Sequence, residues 1–425
     1  MVPFFRMAAF PLSIGMTSVL VQGTLNRIMI VERGLPASLV GLCFALPLLV
    51  APVRVWLGYQ SDTRPLWGLR RAPYILAGTV LSGAGMLAAT LLVLSLSLSL
   101  DNIVLAVAMG AMLLLAFLLY GLGKHMSSNT FEALIADTFQ GPQRPRAVTL
   151  FKVAMFLGII GTAVILGTLL DPFSAGRLAT IAWGVLLLML LLTLLAVLRQ
   201  ERRGDHIQEA VTEARSVSFR ATISTVLWPN PHLRRFFVLV MLVIVGTLAQ
   251  DILLEPYGGL VLGMTPGETT RLTALWGAGT MLSMLTAGLG LIPRAGYLPV
   301  LRAGLSISIV VFSGLIVVGS LHEPRMFQAL VFVLGLGSGL SAAGLLTAVV
   351  EHTTAARAGT LMGLWGVAHE SGEAIGSLLG GSIVDVVRLL SGGDAWMAYS
   401  TVFGLEAGLL LVALLLSGRS RGQPM

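Results

Sequence analysis

Polar residues recur at a spacing of four in otherwise apolar stretches, which would place them on one face of a helix. One stretch carries Ser18, Gln22 and Asn26, with Arg27 beside them. A second carries Lys124, Ser128 and Glu132, with His125 and Asn129 adjacent, and a third carries Thr247, Asp251 and Glu255. A fourth has His369 and Glu373 one turn apart, with Glu370 between them. Groups of these types can pair ions, pass protons or orient an imidazole. Alone in apolar surroundings they are costly, so they are expected to face a cavity or a partner. The plainer alternative is polar glue between helices. Two readings also stand for His369 and His125: a His–Glu hydrogen bond that satisfies two buried groups, or a histidine held by a carboxylate so that its other nitrogen can act as a ligand. Gly372, Gly376 and Gly380 form a small-xxx-small face on the same stretch, suited to close helix packing or to a flat aromatic ligand.

The elements that must position these groups follow from composition. Of 425 residues, 56% are hydrophobic and 11% charged. A soluble domain typically carries about 25% charged residues, and this chain has too few to solvate a globular surface. Apolar runs of the length needed to cross a bilayer, about 20 residues, follow one another along the sequence. They predict an all-α membrane protein with helices near 7–31, 37–58, 73–97, 103–136, 148–170 and 178–198, then 236–258, 271–292, 298–320, 326–350, 359–387 and 396–417. Residues 1–198 and 236–425 read as two six-helix halves, and the polar segment 199–235 as the linker between them. The N-terminal stretch, interrupted by Gln22, Asn26 and Arg27, does not read as a cleaved signal peptide. The single cysteine, Cys43, excludes an internal disulfide.

Arginine placement orients the spans. Most of the 27 Lys and Arg fall at the ends that a cytoplasmic N-terminus would put inside, the linker included. Arg33, Arg177, Arg271, Arg325 and Arg388 fall on the other side, while Arg27 and Lys124 lie within spans. Both termini and the linker are therefore expected to be cytoplasmic. The net charge of +7 then reflects topology and anionic lipid rather than nucleic acid. The halves also repeat: Gln22 matches Gln250, Gly58 and Arg64 match Gly288 and Arg294, and RAVTL at 146–150 matches RAGTL at 357–361. Parallel repeats of this kind belong to the major facilitator architecture.

The loop GYQSDTRPLWGLRRAP at 58–73 resembles the signature loop of that superfamily. Gly58 permits close helix approach, Asp62 can cap or pair, and Arg64, Arg70 and Arg71 can reach carboxylates or helix C-termini in the neighbouring half, making a charge latch. Read without the motif, it is a basic loop that obeys topology alone. No G-x-x-x-x-G-K-[ST] loop is present, which argues against ATP-driven transport. A membrane prenyltransferase is disfavoured as well, because Asp251 and Glu255 have no second acidic pair.

Several stretches resemble the bacteriochlorophyll delivery branch of the major facilitator superfamily, the PucC-like light-harvesting assembly proteins of phototrophic bacteria. They are GTLNRIMIVERGLPASLVG (23–41), LPLLVAP (46–52), SDTRPLWGLRRAP (61–73), QDILLEPYGG (250–259) and GETT (267–270). The compact termini are similar to the shorter members, those associated with bacteriochlorophyll synthesis. The resemblance implies twelve helices, no catalysis by this chain, and a role in holding or moving bacteriochlorophyll or chlorophyll. Its implied partners are light-harvesting apoproteins or the reaction centre, and bacteriochlorophyll synthase. Its implied location is the inner or intracytoplasmic photosynthetic membrane. If a chlorin is bound, His369 and His125 are the candidate ligands to its magnesium, with Glu373 behind His369; no metal ion held by the protein itself is expected. A proton-coupled transporter using Asp251 and Glu255, and a pigment-free antenna scaffold, remain as alternatives. In any of these, aligning Gln22 with Gln250 sets Arg27 opposite Glu255, which predicts an ion pair closing the cavity on the side away from the cytoplasm.

Overall fold

The computed structural model describes residues 2–49, 53, 57, 60–61, 64–66, 68–95, 103–139, 143–201, 231–351 and 358–418. Its helices fall into twelve segments in chain order. The first half holds α1 (Phe4–Glu32), α2 (Ala37–Leu49), α3 (Ala72–Ser95), α4 (Ile103–Thr138), α5 (Gln143–Leu169) and α6 (Ala175–Val197). In the second half, α7 runs as Pro231–Leu248 and resumes as Leu254–Leu260, followed by α8 (Pro266–Ala295). The chain ends with α9 (Tyr297–Leu321), α10 (Pro324–Glu351), α11 (Ala358–Leu390) and α12 (Ala395–Gly418). Among the described residues, nine helices are long and apolar enough to span a membrane, and bent α7 makes a tenth. Ala37–Leu48 is apolar but shorter, and α11 carries His369, Glu370, Glu373, Asp385 and Arg388 along its length.

Three starts fall five residues before the sequence expectation, the first being α5 at Gln143 rather than near 148. Helix α7 begins at Pro231, so the last residues of the expected linker are its first turn. Helix α8 begins at Pro266 rather than near 271. Thr265 caps it, Pro266 occupies the first turn, and Glu268 returns a bond to the Thr265 amide.

The packing repeats with a period of six helices. Within the first half α1 packs on α5 and α6, α2 on α4, and α3 on α4 and α6. The second half repeats every one of these contacts: α7 on α11 and α12, α8 on α10, and α9 on α10 and α12. The halves meet through α2–α11 and α5–α8, two seams related by the same operation.

Glycine lets both seams close at one end of the bundle. A Cβ at Gly381 would collide with the Ala37 carbonyl, one at Gly41 with the Ser377 carbonyl, and one at Gly267 with the Gly167 carbonyl. Asp385 on α11 adds a polar clasp, accepting from the Ala37 amide at 2.9 Å and the Ser38 amide at 2.7 Å. Those amides open α2, where an anion is favoured.

The two helices at the heart of the repeat are both irregular. Helix α1 widens into π-turns at Val19–Leu25 and Ile28–Glu32. Helix α7 passes through a 3-10 turn at Ala249–Ile252 and bends by 40°. Gln22 lies in one irregular stretch and Gln250 in the other, so the breaks occupy equivalent positions. Interruptions at matching points of two halves are where transporters of this architecture build their sites.

Candidate functional site between the two halves

The break in α7 has a local cause. Pro256 has no amide hydrogen, so the Ile252 carbonyl loses its helical donor. Asn26 of α1 supplies one: its Nδ2 donates to Ile252 O at 3.1 Å across the seam. Thr24 and Thr270 also meet there, their hydroxyls 3.1 Å apart.

Arg27 and Glu255 both lie buried at this level, but they do not form the expected ion pair. Arg27 Nη1 binds Glu32 Oε1 at 2.5 Å, and Nη2 donates to the Met264 carbonyl at 2.8 Å. Glu255 instead accepts from Thr273 Oγ1 at 2.5 Å, with its carboxylate against Gly23. The reason is the π-turn at 28–32. In a regular α-helix residues five apart point about 140° away from each other; widening brings Glu32 round to Arg27. Arg27 still ties the halves together, through the backbone of the α7–α8 turn rather than through Glu255.

Deeper in the bundle the polar rows of α4 and α11 come together. His125 is buried, its Nε2 3.1 Å from the Pro47 carbonyl and 3.3 Å from Glu370 Oε2. The first contact is within its own half and the second crosses to the other. His369 Nδ1 stands 3.9 Å from Glu373 Oε2, with its side chain 37% exposed. Glu373 also feels the charge of Lys124 on α4, and Asp251 on α7 feels that of Glu373. Gln22 is partly buried in the α1 π-turn, and Glu132 is exposed. The glycine face of α11 is taken up by helix packing: Gly372 lies against Ile244, Gly376 against Ala249 and Gly380 against Leu253, all on α7. Of its two readings, close packing is the one realised.

At the opposite end, Arg71 Nε donates to Asp137 at 2.9 Å and Nη1 to Ser61 at 2.9 Å. Both partners belong to the first half, so these bonds do not make the cross-half latch expected of the loop. The amides of Arg70, Arg71 and Ala72 donate to Glu201, whose carboxylate thereby caps α3. Arg64 is exposed, its carbonyl accepting from the Tyr74 hydroxyl at 2.8 Å. Gly58 and Asp62 lie outside the described residues.

Glu32, Asp385 and Glu406 are among the acidic residues not singled out from sequence, as are Asp137 and Glu201. Glu406 is 2% exposed in the middle of α12. Its signal was available, since a lone carboxylate in an apolar run is a functional candidate by default. Among the described residues, no group of three or more His, Cys, Asp or Glu is placed to hold a metal ion.

Twelve helical segments among the described residues, in two repeated halves broken at matching points of α1 and α7 and joined through α2–α11 and α5–α8, define a membrane protein of the major facilitator fold. A solved point-mutant structure of the nucleoside transporter NupG superposes with a TM-score of 0.75 at 14% identity, covering 98% of this chain and 99% of that one. A D-xylose–proton symporter gives 0.69 at 16% identity over 96% of each chain. Within this class the chain belongs to the PucC protein family, whose profile matches residues 24–421. Protein PucC of Rhodobacter capsulatus is 34% identical over 96% of this chain and 90% of its own length. The bacteriochlorophyll synthase 44.5 kDa chain of the same organism is also 34% identical, over 97% and 94%.

Proposed function

We propose that this protein binds bacteriochlorophyll or chlorophyll and delivers it to light-harvesting or reaction-centre complexes as the photosynthetic unit is built. The observation that carries the reading is the family match along almost the whole chain, with a relative named for bacteriochlorophyll synthase among the similar proteins. Light-harvesting apoproteins or the reaction centre are the proposed recipients, and bacteriochlorophyll synthase the proposed donor. The protein acts as a carrier in the inner or intracytoplasmic membrane, with both termini on the cytoplasmic side; the arginine distribution supports that orientation.

Of the two candidate ligands to the chlorin magnesium, His369 is the better placed. Its side chain is 37% exposed, and the Glu373 carboxylate stands 3.9 Å from Nδ1, beyond hydrogen-bond distance but on the side from which it would orient a metal-binding imidazole. His125 has Nε2 engaged at the Pro47 carbonyl and next to Glu370. The fold contributes closure: the glycine seams and the Asp385 clasp shut one end, so an apolar cargo would enter and leave elsewhere.

A proton-coupled transporter is the second reading. What favours it is the set of carboxylates inside the C-terminal half, Asp251, Glu373 and Glu406. Two measurements on protein purified from a pigment-synthesising host separate the readings. Near-infrared absorption with mass identification of the extract supports delivery, and proton-dependent solute uptake by proteoliposomes supports transport. Co-purification with antenna subunits but without pigment would leave a scaffold.

A further inference from the structure

Glu406 on α12 is the most enclosed carboxylate of the interior. It is 2% exposed, and neither of its oxygens has a hydrogen-bond partner among the described residues. It packs where α12 meets the break in α7. Gly246 of α7 lies against Leu410, one turn beyond Glu406, and Tyr257 against Phe403, one turn before it, so the Ala249–Ile252 turn that carries Gln250 and Asp251 stands beside Glu406. The Gln250 side chain in the same turn is fully buried, with both its amide nitrogen and its oxygen unpartnered among the described residues. Asp251 itself is part-exposed and accepts no hydrogen bond from a described residue. A broken helix, a buried glutamine with no hydrogen-bond partner among the described residues and two neighbouring carboxyls thus meet in one place.

The surrounding elements supply no cation at that place among the described residues. Helix α11 presents Glu373, with Glu370 and His369 beyond it, and Lys124 of α4 is coupled to Glu373. The resumed part of α7 presents Tyr257, whose hydroxyl donates to the Leu315 carbonyl of α9. Tyr399 lies two turns before Glu406 on α12, packed against Tyr257. The one arginine of α9, Arg302, binds Ser417 at the far end of α12, about 16 Å along the helix from Glu406. A buried carboxylate requires a charge partner or a proton. Two facing carboxyls in one site do not both ionise readily, so they share protons.

We propose that Glu406 and Asp251 form a proton-binding pair at the break in α7. With a proton bound, the pair is compatible with α7 packed on α12. With the proton lost, two like charges face each other in an apolar contact and drive the helices apart at Ala249–Ile252. Asp251, the part-exposed member, exchanges protons with the interior between the halves, and Glu373 passes the change in charge to α11 and its seam with α2. The pair is independent of what cargo the protein carries.

The test is an infrared pH titration of the purified protein in lipid, following the C=O stretch of protonated carboxyls, with pigment content recorded separately. The parent is compared with Glu406→Gln and Asp251→Asn. Glu406→Gln is expected to remove one titrating carboxyl band, and Asp251→Asn to move the midpoint of the remaining band by at least tenfold in proton concentration. A full set of bands in folded Glu406→Gln, or an unmoved midpoint in Asp251→Asn, overturns the proposal. If Glu406→Gln does not fold, the midpoint in Asp251→Asn decides alone. Because the bands belong to the protein, either result is obtained whether or not pigment is present.

Discussion

Removing the Asp385 carboxylate should open the α2–α11 seam. In the closed seam it accepts two short bonds, from the Ala37 and Ser38 amides, at the positive end of α2. Hydrogen bonds to a charged group contribute about 1.5–3 kcal/mol each when buried. Asp385 is part-exposed, and losing a helix cap alone costs about 0.5–2 kcal/mol. An estimate of about 2 kcal/mol for Asp385→Ala corresponds to an open population raised about 30-fold. The assay is alkylation of Ser377→Cys in a Cys43→Ala background, since Ser377 is 2% exposed beside Gly41 and Cys43 is the sole native thiol. In the Asp385→Ala variant the labelling rate should rise by about that factor, and in Asp385→Asn, which keeps one acceptor oxygen, by much less. Labelling within threefold of the parent would refute the clasp and leave glycine packing as what closes the seam.

Asn26→Ala should destabilise the protein by about 1–3 kcal/mol, because Pro256 leaves the Ile252 carbonyl without another backbone donor; thermal unfolding in detergent measures it, and an unchanged midpoint would contradict the bridge. Arg27→Lys keeps the charge but cannot hold Glu32 and the Met264 carbonyl in one fork, so it should lose most of what Arg27→Ala loses in the same assay. Gly381→Val forces a side chain into the Ala37 carbonyl and should prevent closure, seen as fast labelling of Ser377→Cys without loss of helical content by circular dichroism. His369→Phe should lower retained pigment more than His125→Phe, as read from absorption of the purified variants.

The fold was legible because a bilayer imposes its length on the spans, and that mark is written in composition. Local exceptions were harder to see. Thr265–Pro266–Gly267–Glu268 reads as a loop by its residue types, yet those are the residues that start a helix by capping it. The α7 break carries a visible cause in Pro256, whereas nothing comparable marks the π-turns of α1. That difference decided the fate of the Arg27–Glu255 pair. Depth was right from the repeat, but partner choice depended on a widened turn that brings Glu32 beneath Arg27. Polar residues at helical spacing marked α1, α4, α7 and α11; each of these helices buries or half-buries some of them, but the α4 stripe ends on Glu132, which is exposed. Glu406 escaped the same reading because it has no polar neighbour one turn away to form a stripe.

The most direct test of the central claim is the near-infrared spectrum of the protein purified in mild detergent from pigment-synthesising membranes, followed by extraction and mass identification. The account predicts stoichiometric bacteriochlorophyll or chlorophyll, lost in a folded His369→Phe variant. Pigment-free protein from membranes rich in pigment would contradict it.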